Sequence, residues 1–299
     1  MMERRLFGKT GMEVSVLGFG GSEIGYEHTS SATVDKLLGA AMDEGLNVVD
    51  TAACYVDSEE KIGAAVRHHR SQLYLFSKCG HASGLPSADW TRETIRDSID
   101  RSLHRLRTDY IDLMQLHTCS SQVLADGSVV EELIRAKEAG KVRFIGYSGD
   151  HDTALQAVEM GVFDALQTSI NIADQRVLED VLPAAVERQM GVIAKRPIAN
   201  AAWKSKELPS NSYHHVYWQR LREIDYDFLH GNLEEGVATA LSFTLSCPGV
   251  SVAIVGTSNP GRWKQNALLL NERNLSEQEY RAIREQYLAV AKPDWVGQT

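Results

Sequence analysis

The chain has 299 residues, 43% hydrophobic and 24% charged, an ordinary globular composition with enough apolar side chain to bury a large core. Its net charge of −9, with lysine and arginine spread along the sequence, leaves no positive block to bind a nucleic-acid backbone. No apolar run approaches the roughly 18 to 20 residues that cross a bilayer, and the N-terminus has no secretory h-region, so a soluble, untargeted protein without nucleic-acid or membrane partners is expected.

At the start, RRLFGKTGMEVSVL reads as a hairpin turning at Lys9, Thr10 and Gly11. Apolar runs of strand character follow at 14–19, 46–50, 73–78, 111–117, 142–147, 164–169, 191–195 and 250–256. Between most of them lie helical periods such as TVDKLLGAAMDEG, TRETIRDSIDRSLHRL and SVVEELIRAKEAG. Thr91 stands as an N-cap, with Thr94 in the first turn, and Gly45, Gly140 and Gly161 follow helices where C-caps stand. Strand and helix repeated eight times predict an α/β fold, a (β/α)8 TIM barrel forming a single domain over 1–299, with the hairpin closing its bottom. The segment 201–233, rich in aromatics and histidine, is expected to be a long loop after the seventh strand, either a lid or a surface excursion. Cys54, Cys79, Cys119 and Cys247 show no CxxC pair and no metal-ligand spacing, so free thiols, no metal and a cytoplasmic location are expected.

The stretch NVVDTAACY, from Asn47 to Tyr55, ends an apolar run on Asp50. The third strand ends at Lys78 and the fourth at His117, and chemistry in a barrel gathers at these C-terminal strand ends. Singly, each residue has a plainer reading: a turn-capping Asp, a solvated Lys, a core His, a packing Tyr. Together on one rim they form a set. A phenol of reference pKa about 10 is a poor acid near neutrality. An ammonium beside it is expected to lower that pKa, with Asp50 holding Lys78 charged. Tyr55 then serves as general acid, and a neutral His117 orients a carbonyl and steadies its oxyanion. Protonating a carbonyl oxygen also needs a hydride for the carbon, which no side chain supplies, so a nicotinamide cofactor is implied.

Taken in order, GxxVSxLGFGG, DTAxxY with SEExIG, SK, LHT, GKVRFIGYSG, LQ and IVGTSNPxRWxxN are similar to the motifs of aldo-keto reductases, over essentially the whole chain. The resemblance implies a catalytic set of Asp50, Tyr55, Lys78 and His117, with Tyr55 as proton donor. It implies that Ser148 and Gln167 hold a nicotinamide carboxamide. Gly256, Thr257 and Ser258 open a helix whose N–H groups favour phosphate. Arg262 and Asn266 match positions that engage a 2'-phosphate and the adenine, which points to NADPH (NADP+) rather than NADH; the plainer reading of Arg262 is a solvent-facing charge. The LGFGG run lacks the spacing of a dinucleotide-binding GxGxxG, so Gly20 and Gly21 are read as close-approach positions at the rim.

Two departures from the family pattern stand out. Gly149 replaces a common asparagine, and Lys195 stands where many relatives carry a tyrosine that stacks on the nicotinamide. Trp203 could supply the missing ring, while Lys195 and Arg196 either meet a pyrophosphate or form a structural ion pair. Cys54 is read as a small packing residue. Candidate substrate contacts are Ser22, Glu23, Tyr26, Thr118 and Trp203. The function so implied is NADPH-dependent reduction of aldehydes or ketones to alcohols. The alternative is an NADPH-binding regulatory or redox-sensing protein with little turnover. A metal-dependent hydrolase lacks an HxH pair or a second carboxylate cluster at a strand end.

Overall fold

The computed structural model describes residues 2–298. Two short strands, β1 (Arg4–Leu6) and β2 (Glu13–Ser15), pair antiparallel. Eight further strands follow: β3 (Leu17–Gly20), β4 (Val48–Asp50), β5 (Tyr74–Cys79), β6 (Ile111–His117), β7 (Val142–Ser148), β8 (Ala165–Ser169), β9 (Gly191–Lys195) and β10 (Val250–Gly256). They close into a barrel in sequence order, every neighbour parallel, with β10 returning to β3. This is the expected (β/α)8 TIM barrel.

Helices cover the outside because their apolar faces repeat at helical spacing. The helix Ser31–Asp43 buries Val34, Leu37, Leu38 and Ala41, and Ser30 caps it by accepting from the Thr33 N–H. Thr91 caps Arg92–Leu106 through the Thr94 N–H, as expected. Gly45, Gly140 and Gly161 all take left-handed φ (98°, 74° and 68°), which frees each chain to leave its helix for the next strand.

The hairpin does close the bottom of the barrel. Phe7 is fully buried among Val48, Phe76, Leu113, Ala165, Ile193 and Val252, and Lys9 N donates to Gln189 O. A Cβ on Gly191 would lie 2.5 Å from the Phe7 ring, so glycine there admits the plug.

Two expectations need correction. The run 14–19 is not one strand: it divides at Val16 into the end of β2 and the start of β3. Asn47 accepts from Ser15 N at 2.7 Å while Ser15 Oγ donates to Leu17 O, which turns the chain there. Nor is 201–233 an unstructured loop. It carries the helix His215–Ile224, flanked by 3-10 turns at Ser212–His214 and Asp227–Leu229. Tyr217, Arg220, Leu221 and Ile224 are buried at i, i+3, i+4 and i+7, a helical period that its aromatic and histidine content obscures. No helix among the described residues is long and apolar enough to cross a membrane.

The parallel registers place residues for chemistry side by side. Lys78 lies beside Gln115, His117 beside Ser148, and Ser148 beside Gln167, all at one rim. The Phe7 plug sits at the other end, so the two should be separable. Phe7→Ala should lower unfolding stability by about 3–5 kcal/mol in urea denaturation, with turnover of the folded protein unchanged. A loss below about 1 kcal/mol would show that the hairpin lies outside the cooperative core.

Candidate active site

Asp50, at the end of β4, is buried and receives three side chains. Lys78 Nζ lies 2.5 Å from Oδ2, while Gln167 Nε2 and Gln115 Nε2 donate to Oδ1 at 2.9 and 3.3 Å. Lys78 is 1% exposed and also donates to Thr51 O at 2.8 Å. Its ammonium stands 5.1 Å from the Tyr55 ring centroid, and that ring meets the His117 ring edge-on at 5.7 Å. Four residues from β4, its following loop, β5 and β6 thus converge. Gln115 went unnoticed in the sequence because it lies mid-strand, within an apolar run.

A cavity of about 890 Å³ opens above them. Asp50, Tyr55 and His117 line it, as do Gly20, Gly21, Ser22, Glu23 and Tyr26 on one side. Gln167, Lys195, Gly256, Thr257, Ser258, Arg262 and Asn266 also line it. Ser148 does not; it donates to Gln167 Oε1 at 3.1 Å and so stands behind that amide. Thr118 turns away with its hydroxyl on Ser148 O at 3.3 Å. Trp203 packs against Gly236, 3.2 Å from where a Cβ would stand there, outside the cavity lining, and offers no ring over the site. From the segment after β9, Asn211, Tyr213 and His214 reach the cavity, whereas Trp218 donates to Ser205 O.

Lys195 forms the structural ion pair. Its ammonium is 2.8 Å from Asp150 Oδ2, and the other Asp150 oxygen accepts from Ser169 N and Thr168 Oγ1 at 2.7 and 2.9 Å. Burial disfavours the Asp150 carboxylate, but Lys195 and these donors bring its pKa below the usual value. Arg196 donates to Tyr213 Oη at 2.5 Å and to Ser169 Oγ at 2.8 Å. Gly149 has a local reason as well. A Cβ there would stand 2.5 Å from the hydroxyl of buried Tyr147, which donates to Cys119 O.

The expected depression of the Tyr55 pKa is corrected. Removal from solvent is the largest cause and the Asp50 charge adds to it, pushing the phenol of half-buried Tyr55 well above its usual value. His117 moves the other way, held well below the usual histidine range by burial and by the Lys78, His81, Lys195 and Arg196 charges. Cys54 Sγ lies 3.3 Å from His117 Nδ1, and burial raises the thiol pKa. Either group can donate across this contact, and donation from the protonated thiol to Nδ1 is the arrangement that leaves the ring hydrogen on Nε2. Cys54 therefore has a partner in the site and is more than packing. Near neutrality the site holds an intact phenol and a neutral imidazole beside the Lys78–Asp50 and Lys195–Asp150 pairs.

The Aldo/keto reductase family model matches residues 16–287. The chain belongs to this family. Among curated relatives, the uncharacterized oxidoreductase YqkF of Bacillus subtilis (strain 168) is 28% identical, covering 94% of this chain and 95% of its own. L-galactose dehydrogenase of Arabidopsis thaliana is also 28% identical, over 91% of this chain and 89% of its own. The holo form of aldo-keto reductase AKR11C1 from Bacillus halodurans superposes with a TM-score of 0.82 at 24% identity, covering 99% of both chains, a likeness of fold. Oxidoreductase chemistry with a nicotinamide cofactor is the family's general activity.

The buried pair can be tested directly. Asp50→Ala strands the Lys78 ammonium and should cost about 3–5 kcal/mol in urea denaturation, while Asp50→Ala with Lys78→Met should regain most of it. Equal losses in both proteins would mean that the charge is not what the pair compensates.

Proposed function

We propose that the protein is an NADPH-dependent reductase of aldehydes or ketones, with Tyr55 giving the proton that completes the alcohol. The observation carrying this reading is the convergence of Tyr55, His117 and the Lys78–Asp50 pair at the base of one cavity. The cavity suits a dinucleotide. At Gly20 and Gly21 a Cβ would stand within 3.3 and 2.8 Å of Gly256 N and Ser58 Oγ, so side chains are excluded where the backbone must be approached. The helix Pro260–Glu272 begins at the same cavity, with Asn259 capping it through Gly261 N, and Arg262 and Asn266 project from its first turns.

When bound, NADPH supplies hydride to the carbonyl carbon. Gln167 orients the carboxamide, with Ser148 fixing the Gln167 amide from behind. His117 Nε2–H donates to the carbonyl oxygen and aligns it with Tyr55. Tyr55, kept protonated by burial, delivers its proton as negative charge develops there. Lys78, held by Asp50, stabilises the phenolate that remains until solvent restores the proton. Arg262 pairs with the 2'-phosphate, its forked donors suiting a dianion. The L-galactose dehydrogenase relative makes aldoses worth including among the substrates tried.

The alternative, an NADPH-binding regulatory or redox-sensing protein, draws on Lys195. That side chain is committed to Asp150 where relatives place a stacking ring.

The deciding experiment follows NADPH and NADH oxidation against aldehydes, ketones and aldoses in wild type, Tyr55→Phe and Arg262→Leu. Tyr55→Phe should lose about 10²- to 10⁴-fold in kcat, and Arg262→Leu should weaken NADPH selectively. NADPH binding without turnover across the panel would favour the regulatory reading.

The reductive kcat/KM should also stay level from about pH 6.5 to 10, the ordinary His and Tyr values. The lowered His117 pKa keeps the ring neutral through the acid side, and the raised Tyr55 pKa keeps the phenol protonated through the alkaline side. A fall centred near pH 8 that disappears in Tyr55→Phe would sink this assignment.

A further inference from the structure

Glu23 places a carboxyl group where the dinucleotide reading expects an anion. It belongs to the short helix Ser22–Tyr26 after β3, and its side chain crosses to the end of β10. A Cβ on Gly256 would fall 1.8 Å from Glu23 Oε2, so the carboxyl group rests on the bare α-carbon of Gly256. Ser22 Oγ donates to Oε2 at 2.7 Å. Among the described residues no lysine, arginine or histidine forms an ion pair with this half-buried side chain, although the buried carboxylates of the rim are compensated: Asp50 by Lys78 and Asp150 by Lys195. Burial accordingly pushes the Glu23 carboxyl group above the usual range, with Glu27 adding repulsion and Ser22 opposing it.

Gly256 is also the first residue of the Gly256–Ser258 stretch assigned above to phosphate. A carboxylate and a diphosphate cannot share that backbone without repulsion.

We propose that Glu23 sets how tightly the protein holds its dinucleotide: its carboxylate competes with the diphosphate for the Gly256–Ser258 backbone and must swing aside on binding. This rests on the NADPH reading above. It makes Glu23 a determinant of cofactor affinity and release, a different role from the substrate contact read from the sequence. A charge that opposes retention shortens the residence of the spent cofactor, which must leave in every turnover.

The test is equilibrium binding of NADPH to wild type and Glu23→Gln, read by nucleotide fluorescence, with adenosine 2'-monophosphate as a second probe. That probe carries the phosphate assigned to Arg262 but no diphosphate. Glu23→Gln preserves the side-chain shape and removes the charge, and should bind NADPH about tenfold more tightly, through slower dissociation in stopped flow, with adenosine 2'-monophosphate affinity unchanged. Equal or weaker NADPH binding would overturn the proposal, the weaker case showing that the carboxylate accepts a cofactor hydroxyl. Tightening of both probes alike would overturn it too, since the effect would then not lie at the diphosphate. If neither protein binds NADPH, the cofactor reading falls and takes the proposal with it.

Discussion

The buried Asp50 carboxylate is the constraint on which the rim depends. It sits on β4, takes an ammonium from β5, and takes side-chain amides from β6 and β8. One anion therefore ties together four of the eight strands at the end where the cavity opens. A carboxylate with so little solvent is stable only if its charge and lone pairs are met, and here they are met by groups from elements far apart in sequence. The closed parallel barrel makes this possible, because its register sets the strand ends level.

Burial and the charges of the rim together set the charge states around the pair. Burial first, and then the charges of Lys78, His81, Lys195 and Arg196, hold His117 neutral. At the phenol burial is the larger effect and the Asp50 charge adds to it, so Tyr55 remains a phenol rather than a phenolate. Such a site is prepared to donate a proton to an oxyanion. The second pair, Lys195 with Asp150, compensates its own charge locally, so a rim carrying several ions concentrates little net charge beside the reacting groups. Glu23 is the exception, a half-buried carboxyl group that forms no ion pair among the described residues, beside the stretch assigned to phosphate.

The barrel strands, the bottom hairpin and the helix caps at Thr91, Gly45, Gly140 and Gly161 were legible in the sequence, because each rests on local alternation or a residue of special backbone freedom. Asp50, Lys78 and His117 could be found for a related reason: each ends an apolar run, and the barrel pattern supplies the rule that such ends share a rim. The helix His215–Ile224 was hidden because its aromatic and histidine content suggested a loop. Trp203 was a candidate for the missing ring on residue type alone, and side-chain direction puts it against Gly236 instead.

The sequence by itself determined the alternation of strand and helix, the residues at the strand ends and the family motifs, since these are properties of neighbours along the chain. Only the tertiary structure decided which charges compensate which. It paired Lys195 with Asp150, set Gln115 and Gln167 on Asp50, turned Cys54 toward His117 and laid Glu23 across Gly256. The physical reason is that burial and Coulomb interaction depend on distance through space, and closing the barrel brings together groups far apart along the chain, Glu23 and Gly256 being 233 residues apart.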